Sequence, residues 1–398
     1  MKMSLKYVVL IIVLGVCGLL GKIGYTFFFD STKPFIMIYG IENNKSYAGD
    51  IECKVSSDKS GNLAVWLDEK PLITSFKLAA NVNAYPFTIP TKTLANGKHM
   101  LKATLTDKTF NKNVTAIERN FEVDNVPLQA AFIKQDMQHK VFQGRTLHVQ
   151  FQVNKPIKKA EIQVLAHTYD CIPESKNSSV YECFIPIACE EMPNEYLLSA
   201  VITDRVGNVL NLDSKFHIMP FPFKTQHLHV DSKQVEKEKE VGLPNSQLEE
   251  QIAELTKKSP KEKLWRGAFC TPLEVKRVTC DFGTVRTTQE KGRYAHKALD
   301  VINLPKSVVW STQNGIVVIK DRYAMTGNTV VVDHGMGILS MFCHLEDFAD
   351  IEVGQKVAKG NPVGTMGKTG YAQGYHLHWE MRLNNIAIDP MQWTKANF

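Results

Sequence analysis

The stretch YVVLIIVLGVCGLLGKIGYTFFF, from Tyr7 to Phe29, is apolar except for Lys22. About 20 such residues cross the hydrocarbon of a bilayer, and a backbone in lipid must bond to itself, so this run predicts one membrane-spanning helix. Lys2 and Lys6 precede it, and positive charge ahead of an apolar run holds that end in the cytoplasm and sends the following chain outward. No small-x-small pattern follows, and Phe27, Phe28 and Phe29 suit a cleavage pocket poorly, which favours an uncleaved anchor over a removed signal peptide. Cys17 follows Val16, a residue larger than lipoprotein processing accepts, and reads as an ordinary membrane residue.

At 398 residues the chain exceeds one hydrophobic core, and its 44% hydrophobic and 22% charged residues are those of folded domains. A net charge of +6 is too mild and too scattered for a nucleic-acid partner. Eight cysteines in an exported chain can form disulfides, and Cys270 with Cys280 reads either as a bridge or as two buried thiols.

From Asp30 to Phe223, short alternating runs broken by Asn, Gly, Pro and Asp read as strands and turns. One strand repeats: Leu101, Ala103, Leu105, Thr106 and Asp107 recur 97 positions later as Leu198, Ala200, Ile202, Thr203 and Asp204. Two copies of one β-sandwich follow, residues 31–124 and 125–223, each with alternate apolar residues facing a core and a closing Asp that opens a turn. Both resemble bacterial immunoglobulin-like modules, although the Cys…Trp…Cys pattern of antibody domains is absent.

Residues 224–264 are charged and nearly free of aromatics, the composition of a linker. Within them Ser246 and Glu249 match a capping box, and Leu248, Ile252 and Leu255 follow at helical spacing, predicting one short solvated spacer helix that docks weakly on the next domain. His227 and His229 lie one residue apart at the start of this linker and read as a structural or solvent-facing strand.

Residues 265–398 are Val/Ile-rich strands with Gly turns, a compact all-β domain that carries His296, His334, His344, His376 and His378. On a strand, His376 and His378 share one face with Cα atoms about 6.5 Å apart. His296 and Asp300 in HKALD would stand about 13 Å apart on a straight strand, so the chain must bend if both are to reach one ion. Strict alternation puts Phe342 on the face of His344 and Cys343 on the other, as a small buried residue. His334 reads as a hairpin anchor, and Trp379 and Trp393 as packing.

HxxxD, then FxHL, then HLHWE after the Gly-rich GTMGKTGYAQG together resemble the lysostaphin-type or LytM-type zinc peptidases that cut peptidoglycan cross-bridges. The resemblance covers residues 267–395 and departs from the family at Ala298, where glycine is usual, and at Phe342, where tyrosine is usual. It implies Zn²⁺ held by His296, Asp300 and His378, with His344 and His376 acting on water and the transition state; which of the two is the base stays open. Arg286, displaced by one position from the family pattern, receives no role, and Glu380 reads first as an exposed strand residue and second as an outer partner of His378.

The expected protein is therefore mostly β: membrane anchor over residues 1–30, two immunoglobulin-like sandwiches, a linker helix and a C-terminal peptidase domain. The resemblance implies a zinc metalloendopeptidase whose substrate is peptidoglycan peptide, fixed in a bacterial cytoplasmic membrane with its domains on the outer side. Two other functions fit the same fold: a non-enzymatic activator of wall amidases, whose members lack ligands, and a zinc protease with a protein target.

Overall fold

In a computed structural model, residues 5–81, 84–134, 139–289 and 292–396 are described. The chain forms two compact units: Met1–Leu128 with Asp204–Asn208, and Gln129–Thr203 with Val209–Phe398.

The first unit opens with the helix Leu5–Phe29, whose apolar side chains are almost all exposed. Its stretch Tyr7–Phe29 is long and apolar enough to cross a membrane. A two-sheet sandwich follows. One sheet pairs Ile36–Tyr39, Ile51–Ser57 and Tyr85–Ile89; the other orders Ser46–Tyr47, Val114–Val123, Gly97–Asp107, Gly61–Leu67 and Lys70–Leu78. Leu101, Ala103 and Leu105 are fully buried, as alternation requires. Asp107 closes the strand by accepting from the backbone N–H of Thr109 and Asn113.

The second unit begins with a sandwich of five strands (Lys140–Phe142, Val209–Met219, Glu195–Asp204, Ile157–Val164, His167–Asp170) and four (Ile172–Pro173, Val180–Pro186, Thr146–Val153, Ala130–Phe132). The repeated strand Glu195–Asp204 buries Leu198, Ala200 and Ile202. Asp204 again accepts two backbone N–H groups, from Val206 and Asn208. The repeat is thus one strand and its aspartate-closed turn, used twice.

The C-terminal sheet orders Arg277–Cys280, Leu299–Ile302, Leu377–Leu383, Ile338–Phe348, Gly327–Asp333, Gly315–Tyr323 and Lys356–Val357, with Val308–Trp310, Pro362–Met366 and Ile386–Ile388 beside it. One face packs Leu299, Val301, Phe342, Leu377, Trp379 and Met381 into the main core. Phe184 of the preceding sandwich enters that core, with ring contacts to Trp265 and Trp393. Trp393 Nε1 donates to Thr146 Oγ1 at 3.1 Å, and Lys263 pairs with buried Glu182. Trp379 and Trp393 are buried packing residues.

The linker differs from its expectation. A helix Ser232–Val241, capped by Asp231, comes first, then the helix Asn245–Lys258. The capping box does not form, because Pro244 precedes the helix and Ser246 lies within its first turn. Leu243 fixes that start by exchanging backbone bonds with Arg322 and Ala324. Nor is the helix a solvated spacer: Leu248 and Ile252 are buried against Ile319, Tyr323, Val331, Leu339 and Met341. Its apolar stripe meets the face of the sheet opposite the main core.

His334 anchors its hairpin, with Nδ1 donating to Asn314 O at 2.7 Å and Nε2 accepting from Ser340 Oγ at 2.9 Å. Burial pushes its pKa down to about 4 from an ordinary 6.5. The unfolded chain therefore takes the proton first as pH falls. Stability from this group is complete above pH 6.5 and is lost between 6.5 and 4, by at most about 3 kcal/mol. Urea unfolding followed by tryptophan fluorescence at pH 7 and pH 4.5 is expected to show a smaller acid loss in His334→Gln than in the parent chain.

Candidate metal centre

Register builds the site. Asp300 lies directly opposite His378 on one side and Cys280 on the other, so these side chains emerge on the same face of three adjacent strands. His296 follows the strand Gly292–Ala295 in a loop, where its backbone exchanges bonds with Gly283 and Thr284. That bend returns its ring toward Asp300, four residues on. Asp300 Oδ1 is 3.2 Å from His296 Nε2 and 3.0 Å from His378 Nδ1, and the two nitrogens are 3.2 Å apart. Ligand atoms around a tetrahedral zinc with bonds of ~2.0–2.1 Å stand about 3.3 Å apart, so one carboxylate oxygen and two imidazole nitrogens match that ion in number, type and spacing.

A second set overlaps the first, since a sulfur of Cys280 lies within 4.8 Å of donors on His296 and Asp300. The His378 nitrogen stands 3.0 Å from Asp300 Oδ1 and 3.2 Å from His296 Nε2, the spacing of donors around one zinc, whereas the Cys280 set is bounded only within 4.8 Å, so the His378 set is the better fit. Cys270 and Cys280 form no bridge: both are thiols, and Cys270 Sγ faces the carbonyls of Ser311 and Thr312.

His344 and His376 complete the groove, with rings 4.7 Å apart between centroids. Alternation fails at His344 for a local reason. Cys343 is in register with His378 and so shares its face rather than pointing away, although it is fully buried under the linker helix. Two residues, Cys343 and His344, oppose Thr329 in a bulge, and His344 adopts φ 59°, which turns its ring into the groove. Its Nδ1 donates to Thr369 O at 2.8 Å, while His376 Nδ1 donates to Gly374 O at 2.9 Å. Each ring thus keeps Nε2 as a free acceptor. The Gly-rich approach serves this geometry, because a Cβ on Gly370 would stand 2.3 Å from Gly327 N, and one on Gly327 2.3 Å from Thr369 O.

Charge is unevenly shared. Burial opposes ionisation of Asp300, yet the two imidazoles hold its carboxyl well below the usual range. Burial lowers His296, whereas His378 overcomes burial through Asp300 and Glu380 and rises to about 9. Burial, then the neighbouring His376 and His378, push His344 down to about 3.

Further contacts reach the site from outside the five residues that the resemblance implies. Arg286 Nη2 binds Asp300 Oδ2 at 3.1 Å, so it has a contact where none was assigned. Glu380 is buried, not exposed, and lies 3.6 Å from His378 Nε2. Gln226 bonds Arg286, Asp231 N–H donates to the Tyr371 hydroxyl and Gln234 Nε2 to Ala372 O, so residues 226–234, up to the first turn of the first linker helix, contact both Arg286 and the stretch that leads to His376. Glu380 shares the strand face of His378, which made its second reading legible, whereas Arg286 and residues 226–234 are remote in sequence from the groups they touch. His227 and His229 are exposed and outside the site.

Residues 294–390 match the model of Peptidase family M23. The C-terminal domain is an M23 peptidase domain. Over 121 residues the chain is 29% identical to the peptidoglycan DD-endopeptidase ShyC of Vibrio cholerae, covering 30% of this chain and 28% of that one. It is 30% identical over 138 residues to ShyA of the same organism, covering 34% and 31%. The chain thus spans less than a third of the length of these curated relatives. Among solved structures, the catalytic domain of lysostaphin from Staphylococcus simulans is 23% identical, with 36% of this chain and 98% of that one covered and a TM-score of 0.25.

Removing the Arg286 guanidinium leaves Asp300 Oδ2 buried beside no cation of its own. Arg286→Met is expected to cost the M23 domain about 3 kcal/mol in urea unfolding with chelator present, the usual penalty for breaking a buried pair. A loss below about 1 kcal/mol would show that the histidines alone hold the carboxylate.

Proposed function

We propose that the chain is a zinc endopeptidase that hydrolyses peptide cross-links of peptidoglycan, with His296, Asp300 and His378 as the metal ligands. The observation that carries this reading is the triangle of one oxygen and two nitrogens with sides of 3.0–3.2 Å. One carboxylate oxygen and two imidazole nitrogens at these separations are the number, type and spacing of donors that a tetrahedral divalent cation takes from a protein. A bound zinc supplies Lewis acidity toward water and the scissile carbonyl.

The chain's own residues divide the proton work by burial. His376 is the more exposed of the two groove histidines, and its Nε2 lies 4.0 Å from Asp300 Oδ1. It takes the proton from the attacking water and returns it to the leaving amine, since solvent and Asp300 both tolerate its charge. His344 stays neutral through the physiological range because burial opposes its protonation. Its Nε2 lone pair orients the water as an acceptor, with the tautomer fixed by Thr369 O.

The DD-endopeptidase activity for which the V. cholerae relatives are named favours direct D-amino-acid cross-links over oligoglycine bridges as the bond cut. The helix through Tyr7–Phe29 would fix the enzyme in a cytoplasmic membrane, with two immunoglobulin-like modules, residues 31–124 and 125–223, between it and the M23 domain in sequence.

Zinc content and digestion of defined cross-linked muropeptides by the full-length chain in detergent test the reading. The parent chain is expected to hold one zinc and release uncross-linked peptides. His378→Ala should lose both, whereas His376→Ala should keep the metal and lose turnover by about 10²–10⁴-fold. Zinc-loaded chain that leaves muropeptides intact but cuts protein, or that releases wall fragments only with an added amidase, would contradict it.

A further inference from the structure

The side chains at alternate positions of Leu377–Leu383 continue past the donor triangle as a line of charge. His378 presents Nε2 to Glu380 Oε2 at 3.6 Å. Glu380 Oε1 accepts from Arg382 Nε at 2.6 Å. Arg382 then forks onto the linker helix, with Nη1 on Glu249 Oε2 at 2.6 Å and Nη2 on Glu249 Oε1 at 2.8 Å. Glu380 and Arg382 are buried, while the Glu249 side chain is 57% exposed.

We propose that Glu249 is a positioning residue for the metal site, acting on His378 through Arg382 and Glu380. This rests on the reading of His378 as a zinc ligand. Glu380 stands between the Arg382 guanidinium and the His378 ring. While Glu249 shares Arg382, Glu380 retains field for the Nε2–H of His378, which fixes the ring and makes Nδ1 a stronger donor. Without Glu249, the buried guanidinium has lost its bidentate partner, Asn385 aside, and draws Glu380 away from an approach that is already long.

The charge count points the same way. Glu249, Arg382 and Glu380 together carry one net negative charge, and neutralising Glu249 leaves none beside a divalent cation. Glu249 is more than half exposed and Arg382 keeps Glu380 and Asn385 as partners, so the effect on stability should be small. Loss of an outer partner of a metal ligand, in contrast, weakens metal binding by about 10–100-fold. Glu249 is two side chains removed from His378, which places it at the lower end of that range.

The same helix also docks through Leu248 and Ile252, and this packing role must be separated from the electrostatic one. Leu248→Val disturbs the packing and leaves every charge in place. Zinc affinity by chelator competition and unfolding midpoint in EDTA are to be measured for the full-length parent, Glu249→Gln and Leu248→Val. Glu249→Gln is expected to bind zinc about tenfold more weakly with a midpoint close to the parent's, and Leu248→Val to show a lowered midpoint with affinity within about twofold. Glu249→Gln within about twofold of the parent, or Leu248→Val weakened as much as Glu249→Gln, overturns the proposal. A parent chain that holds no zinc overturns the functional reading as well, so the two failures are distinguishable.

Discussion

Everything at the site depends on one buried carboxylate in one strand register. Asp300 is held opposite His378, and the bend after Ala295 brings His296 back onto the same oxygen. A carboxylate this deep is costly unless it is paired, and here it meets two imidazoles on one oxygen and a guanidinium on the other. A slip of one residue between Leu299–Ile302 and Leu377–Leu383 would send Asp300 into the apolar core and leave the histidines without a counter-charge. The packing of Leu299, Val301, Leu377 and Trp379 on the other face forbids that slip.

The elements around the sheet are parts of the same device. The linker helix seals the polar side of the sheet with Leu248 and Ile252 and supplies a carboxylate to Arg382. Phe184, from the sandwich that precedes the linker, fills the main core between Trp265 and Trp393. The smallest piece expected to fold with an intact site therefore starts well before residue 265, and it includes the strand Val180–Pro186.

Period-two alternation made much of this legible in sequence: the repeated strand, the shared face of His376 and His378, and the need for a bend in HKALD all follow from local spacing. The misses have a common physical origin in contacts between distant residues. Nothing near Arg286 in sequence announces Asp300, and although Glu380 and Arg382 alternate on one strand face, nothing near Arg382 announces Glu249. The bulge at His344 was hidden because it is defined by what lies across from it, a single Thr329. The helix start misled for a similar reason, since Leu243 pairs with Arg322 and Ala324 and decides the boundary that Ser246 and Glu249 seemed to mark.

X-ray absorption at the zinc edge of the full-length chain tests the centre most directly, because His378 and Cys280 compete as third donor beside His296 and Asp300. The account predicts a first shell of nitrogen and oxygen alone at ~2.0–2.1 Å with outer scattering from two imidazoles. A sulfur neighbour at ~2.3 Å, or no zinc bound in stoichiometric amount, would contradict it.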